Sequence, residues 1–300
     1  MLCICPNPAI DVFSFVENIV AGETNRILKE QKYVGGKAIH VAMAIKEFGE
    51  EVEVAAIWAG ATGDWMKAEL KKMNINYFGT TVSGWNRINT TVRSENQWND
   101  TEFVGAGPTI SKAEYNDFLN SISGKINNYQ LVVMSGSWAA GAPEDPYGAL
   151  IDLCNKNEIK VILDCSGASL NYAIKHKPYM LHINQKEMEQ SVPNEYRKNP
   201  AEYFLKYIKV VAITAGSEGL FLQSADKKIH AKCKLEKIIS AVGSGDCLTA
   251  GLALSMIKKL TFVEMAKFAC ACGSANCMRE ELGMLYKSDV ENLLKIVTIQ

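Results

Sequence analysis

Asp246 follows Gly243-Ser244-Gly245, and that order of residue types has a chemical meaning. Three small residues let the backbone turn tightly, and Leu248, Leu252 and Met256 then mark the apolar stripe of a helix. The first N–H groups of a helix have no intrahelical partners, so together with the helix dipole they attract an anion. Directed at a phosphoryl group in transfer, such donors stabilise the charge that gathers in the transition state. A carboxylate in the same turn, here Asp246, can take the proton of an incoming hydroxyl. The segment alone fits equally well an Asp that merely caps a helix behind a glycine turn. Cys247 comes next. A helix N-terminus lowers a thiol pKa and burial raises it, so a reachable Cys247 would be reactive.

A second segment, Val34-Gly-Gly-Lys-Ala-Ile-His-Val-Ala42, precedes another apolar-periodic stretch. Gly35 and Gly36 allow close backbone approach to a ligand, and Lys37 brings a positive charge. The GxxxxGK[ST] spacing of a nucleotide phosphate loop is absent. Taken alone, paired glycines before a helix describe a turn.

The elements that must position these residues alternate along the chain. Short apolar runs at Leu2–Cys5, Val52–Ile57, Leu131–Met134, Val161–Leu163, Met180–Ile183 and Val210–Thr214 predict buried strands. Helical patterns lie between them, which is the mark of βαβ units and a mostly parallel sheet. Ser111–Ile126 is one such helix, with Ser111 and Glu114 in capping-box spacing and a stripe of Phe118, Leu119, Ile122 and Ile126. Asp11–Val34 and Arg87–Val104 break the rhythm with β-leaning residues that lack helical periodicity. They predict two excursions forming a small separate sheet, either a lid over the site or an edge extension of the main sheet. From Gly245 onward the pattern is helical.

Composition narrows the classes. Apolar residues make up 48% of the 300, enough for a large core. Net charge is −1 with no dense Lys/Arg block, which disfavours a nucleic-acid partner. The apolar Met1–Pro6 is too short for a signal peptide and has no basic lead, and no run approaches the ~18 apolar residues of a membrane span. The nine cysteines form no CxxC pair. They read as buried, reduced thiols of a cytoplasmic protein.

Placed in order, the two glycine segments resemble the paired signatures of the PfkB carbohydrate-kinase family, whose fold is ribokinase-like. Asn7-Pro-Ala-Ile-Asp11 resembles the family's first strand and sugar-binding Asp, and Trp85-Asn-Arg-Ile-Asn89 its phosphohexose-branch Thr-Arg-x-Asn segment. Ser135-Gly-Ser137 with Gly141 and Pro143, then Asp164-Cys-Ser-Gly167, Asn184-Gln-Lys-Glu187 and Thr214-Ala-Gly-Ser-Glu-Gly219, match further family motifs. The resemblance covers nearly the whole chain. It implies a three-layer α/β/α domain over residues 1–300, with a mostly parallel sheet and a small β lid at about 11–34 and 87–104.

The resemblance also implies roles. Asp246 would be the catalytic base, with Gly243, Ser244 and Gly245 completing an anion hole. Asp11, Gly35 and Gly36 would bind sugar hydroxyls, and Lys37, Arg87 and Ser137 the phosphate already on the substrate. Thr214, Gly216, Ser217 and Gly219 would line the ATP site, and Asn276 would approach the adenine. Asn184, Lys186 and Glu187 would arrange Mg²⁺ and the triphosphate, Glu187 reaching the metal through water. Ala38 and His40 stand where the family usually has Gly and Asn, so His40 is expected to contact the sugar, whereas His182 is expected to be a packed residue. Asn86 and Trp138 replace a usual Thr and Leu.

The implied reaction is ATP-dependent phosphorylation of a ketohexose phosphate to a bisphosphate, in the manner of 1-phosphofructokinase or tagatose-6-phosphate kinase. The implied partner is a small-molecule sugar phosphate, with a second copy of the chain pairing through the lid. Alternatives are a kinase of an unphosphorylated sugar or nucleoside, and a non-catalytic sugar-phosphate sensor. Lys37 with Arg87 weighs against the first, and the intact Gly-Ser-Gly-Asp against the second.

Overall fold

The computed structural model describes residues 1–94, 96, 100–281 and 283–300. The chain begins with β1 (Leu2–Cys5), whose four side chains are all buried. Because strand side chains alternate between faces, Leu2 and Ile4 join one core while Cys3 and Cys5 join another. A continuous apolar run is thus what a strand covered on both faces requires.

The chain then leaves the main sheet as β2 (Ala9–Val16) and β3 (Ile27–Gly35), and returns through α1 (Lys37–Glu47), β4 (Glu53–Ala59), α2 (Gly60–Lys72) and β5 (Asn76–Val82). A second departure makes β6 (Arg87–Ser94) and β7 (Thr101–Phe103), before α3 (Lys112–Ser123) and β8 (Leu131–Ser135). Next come α4 (Gly148–Lys156), β9 (Lys160–Asp164), α5 (Gly167–Ala173), β10 (Met180–Asn184), α6 (Gln185–Ser191), α7 (Pro200–Leu205) and β11 (Val210–Thr214). The last elements are β12 (Leu220–Gln223), β13 (Lys228–Lys232), α8 (Ser244–Ile257), α9 (Phe262–Asn276), α10 (Lys287–Leu293) and β14 (Thr298–Ile299).

Ten strands form the main sheet in the order β14-β13-β12-β11-β10-β9-β8-β1-β4-β5. Pairing is parallel from β5 through β11 and antiparallel from β11 to β14. One face packs on α1, α8, α9 and α10, the other on α3, α4, α5 and α7, giving three layers. Between α8 and α9 the approach is so close that a Cβ on Gly251 would lie 2.7 Å from the Ala269 Cα. The Ser111–Glu114 capping box is present in full.

The two excursions form their own sheet, in the order β3-β2-β6-β7, with β2 and β6 parallel from Ala9↔Arg87 to Val16↔Ser94. It is not an edge of the main sheet. Residues 95 and 97–99 of the second expected excursion lie outside the described residues. All six strands predicted from apolar runs are present. The sequence reading missed β5, β12, β13 and β14, which are short or half-buried and so lack a continuous apolar run.

Candidate active site

In an open α/β sheet, ligands bind beyond the carboxyl ends of the strands where the strand order reverses. Here β1 sits between β4 and β8, and the ends of β9, β10 and β11 place Asp164, Asn184 and Thr214 in a row. A cleft of about 940 Å³ lies over these ends. Asp11 of β2, Arg87, Asn89 and Thr91 of β6, and Glu102 of β7 face the same space, so the small sheet forms one wall.

Gly243 stands before α8 with a φ of 84°, a left-handed conformation that suits glycine. No side chain caps α8, and Gly243 through Asp246 all line the cleft. The Ser244 N–H turns back to the Ala241 carbonyl at 3.2 Å. That leaves the amides of Gly245 and Asp246, rather than of Ser244, as donors for an anion. Asp246 is buried. Burial raises its carboxyl pKa above the ordinary value, while His40 and Lys37 pull it back. A raised carboxylate is the stronger proton acceptor.

Two chains of charge flank this turn. In the first, His40 Nδ1 lies 2.8 Å from Asp246 Oδ2 and its Nε2 3.2 Å from Asp11 Oδ2. The second contact is at ion-pair distance, but among the described residues Nε2 has no hydrogen-bond partner, so the two groups attract without good alignment. Asn89 donates to Asp11 Oδ1 at 2.8 Å. Burial works against the Asp11 charge, but His40, Asn89 and Arg87 outweigh it and hold that carboxyl below its usual range. His40 thus sits between two carboxylates, a place the sequence reading did not foresee.

In the second chain, Lys37 Nζ reaches Asp164 at 3.2 Å and Glu187 at 3.8 Å. Expected at the substrate's phosphate, Lys37 is here paired with acids at the end of β9 and in the first turn of α6. Asp164 holds its ammonium above the ordinary pKa against the opposing effect of burial. In turn, Asp164 is buried, and Lys37 and His182 overcome that burial to hold its carboxyl well below the usual range. His182 Nδ1 is 3.3 Å from Asp164, and its Nε2 meets Thr214 Oγ1 at 3.3 Å. His182 is buried, as expected of a packed residue, and its ring also borders the cleft.

Asn184 and Glu187 cap α6 reciprocally, Glu187 N–H donating to Asn184 Oδ1 at 2.8 Å and Asn184 N–H to Glu187 Oε2 at 3.2 Å. Both face the cleft, with Thr214, Gly216 and Gly219 beside them. Among the described residues no three His, Cys, Asp or Glu side chains converge on a metal position. On the far wall, Arg87 Nε donates to the Asn7 carbonyl at 3.1 Å. No ion pair engages its guanidinium among the described residues, and Arg87 and the exposed Ser137 both line the cleft.

Four expected site residues lie off the cleft. Gly35 packs under Asp11, where a Cβ would sit 1.9 Å from Oδ2, so it makes room for the carboxylate instead of meeting a ligand. Asn276 is buried and donates to the Met284 carbonyl at 2.8 Å, so its amide braces the loop before α10 behind Gly243 and does not line the cleft. Ser217 is exposed on the turn after β11, and Lys186 lines a neighbouring groove with Gln185 and Glu189. For Cys247 the structure chooses burial: its thiol points inward to the Gly283 carbonyl at 3.4 Å, and burial pushes its pKa far up. The departures Asn86 and Trp138 are structural. Asn86 stitches the end of β4 through bonds to Ala59 N–H and the Ile57 carbonyl, and Trp138 packs among Tyr115, Phe118 and Tyr147.

Asp164, His182, Asn89 and Gly283 are the site residues to which the sequence reading gave no role. Asp164 and Asn89 each had a signal, the family-like motif that contains it; His182 and Gly283 had none. All nine cysteines are free, with Cys233 and Cys277 partly exposed, and no helix among the described residues is long and apolar enough to cross a membrane.

The sequence and the fold both have counterparts among known proteins. The chain is 29% identical over 288 residues to 1-phosphofructokinase of Bacillus subtilis (strain 168), covering 92% of each. Its fold matches phosphofructokinase-2 of Escherichia coli in complex with fructose-6-phosphate, with a TM-score of 0.86 at 23% identity over 98% of each chain. It also matches Arabidopsis thaliana ribokinase complexed with ribose and ATP, with a TM-score of 0.82 at 18% identity over 98% of each. The fold is therefore ribokinase-like. A family description, pfkB family carbohydrate kinase, fits residues 4–285. The chain belongs to the pfkB family of carbohydrate kinases.

Proposed function

We propose that the protein transfers the γ-phosphoryl group of ATP to a hydroxyl of a ketohexose phosphate and releases a bisphosphate and ADP. The observation that carries this reading is Asp246: a buried carboxylate in the uncapped first turn of α8, across the cleft from the guanidinium of Arg87. Asp246 is the base that accepts the hydroxyl proton. The amides of Gly245 and Asp246 meet the phosphoryl oxygens as charge moves onto them. Arg87 and Ser137 hold the phosphate that the sugar already carries, the fork of the guanidinium suiting two phosphate oxygens. Asp11, Asn89 and Gly36 face the sugar hydroxyls, and Thr214, Gly216 and Gly219 the nucleotide.

Glu187, fixed by Asn184 on the cleft wall, fits a hydrated Mg²⁺ bound with the triphosphate, as magnesium retains much of its water. When bound, that ion shields the triphosphate charge. Lys37, tied to Asp164 and Glu187, supplies a fixed positive charge on the same side. The chain works as one kinase unit in the cytoplasm, and the exposed Ile27, Leu28, Ile88 and Phe103 of the small sheet suit pairing with a second copy.

The test is ADP formation from ATP with fructose 1-phosphate, fructose 6-phosphate, tagatose 6-phosphate, free hexoses and nucleosides. Turnover concentrated on the sugar phosphates is the expected result. Equal kcat/KM for free fructose and its phosphates would sink the phosphohexose assignment, and binding without turnover would make the protein a sensor.

A further inference from the structure

One imidazole joins two carboxylates that the proposed reaction uses differently. His40 occupies Asp246 Oδ2 through Nδ1 at 2.8 Å, which leaves Oδ1 for a substrate hydroxyl. Its Nε2 stands 3.2 Å from Asp11 Oδ2, whose other oxygen is taken by Asn89. The ring is also wedged from behind. Gly283, at φ 65°, packs on it so tightly that a Cβ there would lie 2.3 Å from the His40 Cγ. The same glycine abuts the anion-binding turn, since a Cβ on Gly243 would lie 2.6 Å from Gly283 N and Cα.

Packing alone does not explain a histidine with both nitrogens against acids. Burial disfavours its charge, yet the contacts to Asp11 and Asp246 outweigh this and push its pKa up to about 10. The other charged groups around the triad are Lys37 one turn earlier on α1, Arg87 of β6 near Asp11, and Asp164 of β9, which acts on Asp246. Cys247, in the first turn of α8 with its thiol turned inward, is a neutral thiol.

We propose that His40 is a positioning residue for the catalytic base: as an imidazolium it fixes Asp246 through Oδ2, presents Oδ1 to the sugar hydroxyl, keeps the buried carboxylate ionised, and ties that arrangement to Asp11. In the transfer, the hydroxyl oxygen bonds to the γ-phosphorus and its proton passes to Asp246 Oδ1. The bond from the γ-phosphorus to the bridging oxygen breaks, and its electron pair leaves with ADP. His40 keeps its own protons throughout. This role rests on the kinase reading, so the experiment has one arm that does not.

That arm is an NMR pH titration of the His40 ring in the unmodified protein and in Asp246→Asn. The ring is expected to stay protonated well above neutrality, and in Asp246→Asn to titrate lower by roughly one unit or more, because an opposite charge beside it is lost. A His40 that titrates near its ordinary value in the unmodified protein overturns the proposal. The second arm is kcat against pH for His40→Asn with the preferred sugar phosphate. Loss of the cation should move the acid limb upward by roughly one unit and lower kcat at neutral pH more than about tenfold, with KM for ATP little changed. An unmoved acid limb, whether only the melting temperature falls or only the ranking of sugars changes, also overturns it. If His40→Asn does not fold, the titration pair decides alone. If the unmodified protein turns over no sugar, the kinase reading fails while the titration still judges the clamp.

Discussion

The protein contains the same constellation twice. His40 stands between Asp11 and Asp246 at 3.2 and 2.8 Å, and His176 between Asp145 and Asp152 at 2.7 and 2.9 Å. Distance does not distinguish them. Surroundings do: the His40 side chain is 6% exposed and shares the wall of the cleft, whereas that of His176 is 28% exposed and fastens the turn after α5 to the start of α4. In low dielectric each charge of the first triad strongly affects the others, and solvent weakens the same coupling in the second. Removing an acid should therefore change chemistry at one site and only stability at the other.

The largest expected difference comes from the paired substitutions Asp246→Asn and Asp152→Asn. The first keeps shape but cannot accept a proton, and loss of a general base costs on the order of 10²–10⁴ in kcat. ATP binding measured by calorimetry should survive. Asp152→Asn should leave kcat within about twofold, as expected of a surface ion pair. A normal kcat in Asp246→Asn would remove that residue from the mechanism and erase the contrast.

A smaller effect is expected from Arg87→Ala, which tests the far wall of the cleft. A hydrogen bond to a charged group is worth about 1.5–3 kcal/mol, so kcat/KM for a ketose phosphate should fall roughly 10–150-fold. The value for a free sugar should hardly move. Equal losses for both would mean that Arg87 supports the fold of the small sheet and does not read the phosphate.

How much of this could be read in the sequence depends on how far apart the partners lie. Continuous apolar runs announced the central strands because burial on both faces demands them. The two β-leaning excursions were visible for the opposite reason, their lack of helical period. Strand register, however, is not written locally. Asp11 meets Asn89 because β2 and β6 pair in register at those two positions. His182 meets Asp164 because Leu163 lies beside Leu181, one residue earlier on each strand. Gly283 gave no sign of its contact with His40, since only the folded loop brings it there. Cys247 stayed open for a related reason: the helix dipole was legible in Gly-Ser-Gly-Asp, while the inward direction of the thiol was not.

The burial of Cys247 should show in its reactivity, with a smaller effect. With Cys247 fully buried and its thiol pKa far above the ordinary value, alkylation of the folded protein should label it last. Cys277, which is partly exposed and lines the cleft, should be labelled earlier, and bound nucleotide should slow it. Peptide mapping by mass spectrometry after timed alkylation checks the order. Early labelling of Cys247 in protein that remains folded would mean that the turn before α8 opens.

The smallest effect belongs to His176. Burial is the largest single effect and opposes its charge, but the hydrogen bonds and charges of Asp152 and Asp145 together outweigh it and raise its pKa above the ordinary value near 6.5. A group whose pKa is raised by folding binds its proton more tightly in the native state. Its stabilisation is complete below the unfolded pKa and is lost as pH rises through the folded one. His176→Gln should therefore lower the melting temperature most in mildly acidic buffer, and the gap from the unmodified protein should close as pH rises above neutrality. Because the site is solvated, the gap should correspond to about 1 kcal/mol or less and shrink with added salt. Melting curves at several pH values measure it. A gap that stays constant with pH would show that His176 contributes packing and hydrogen bonds but no charge, and the resemblance between the two triads would then be one of shape alone.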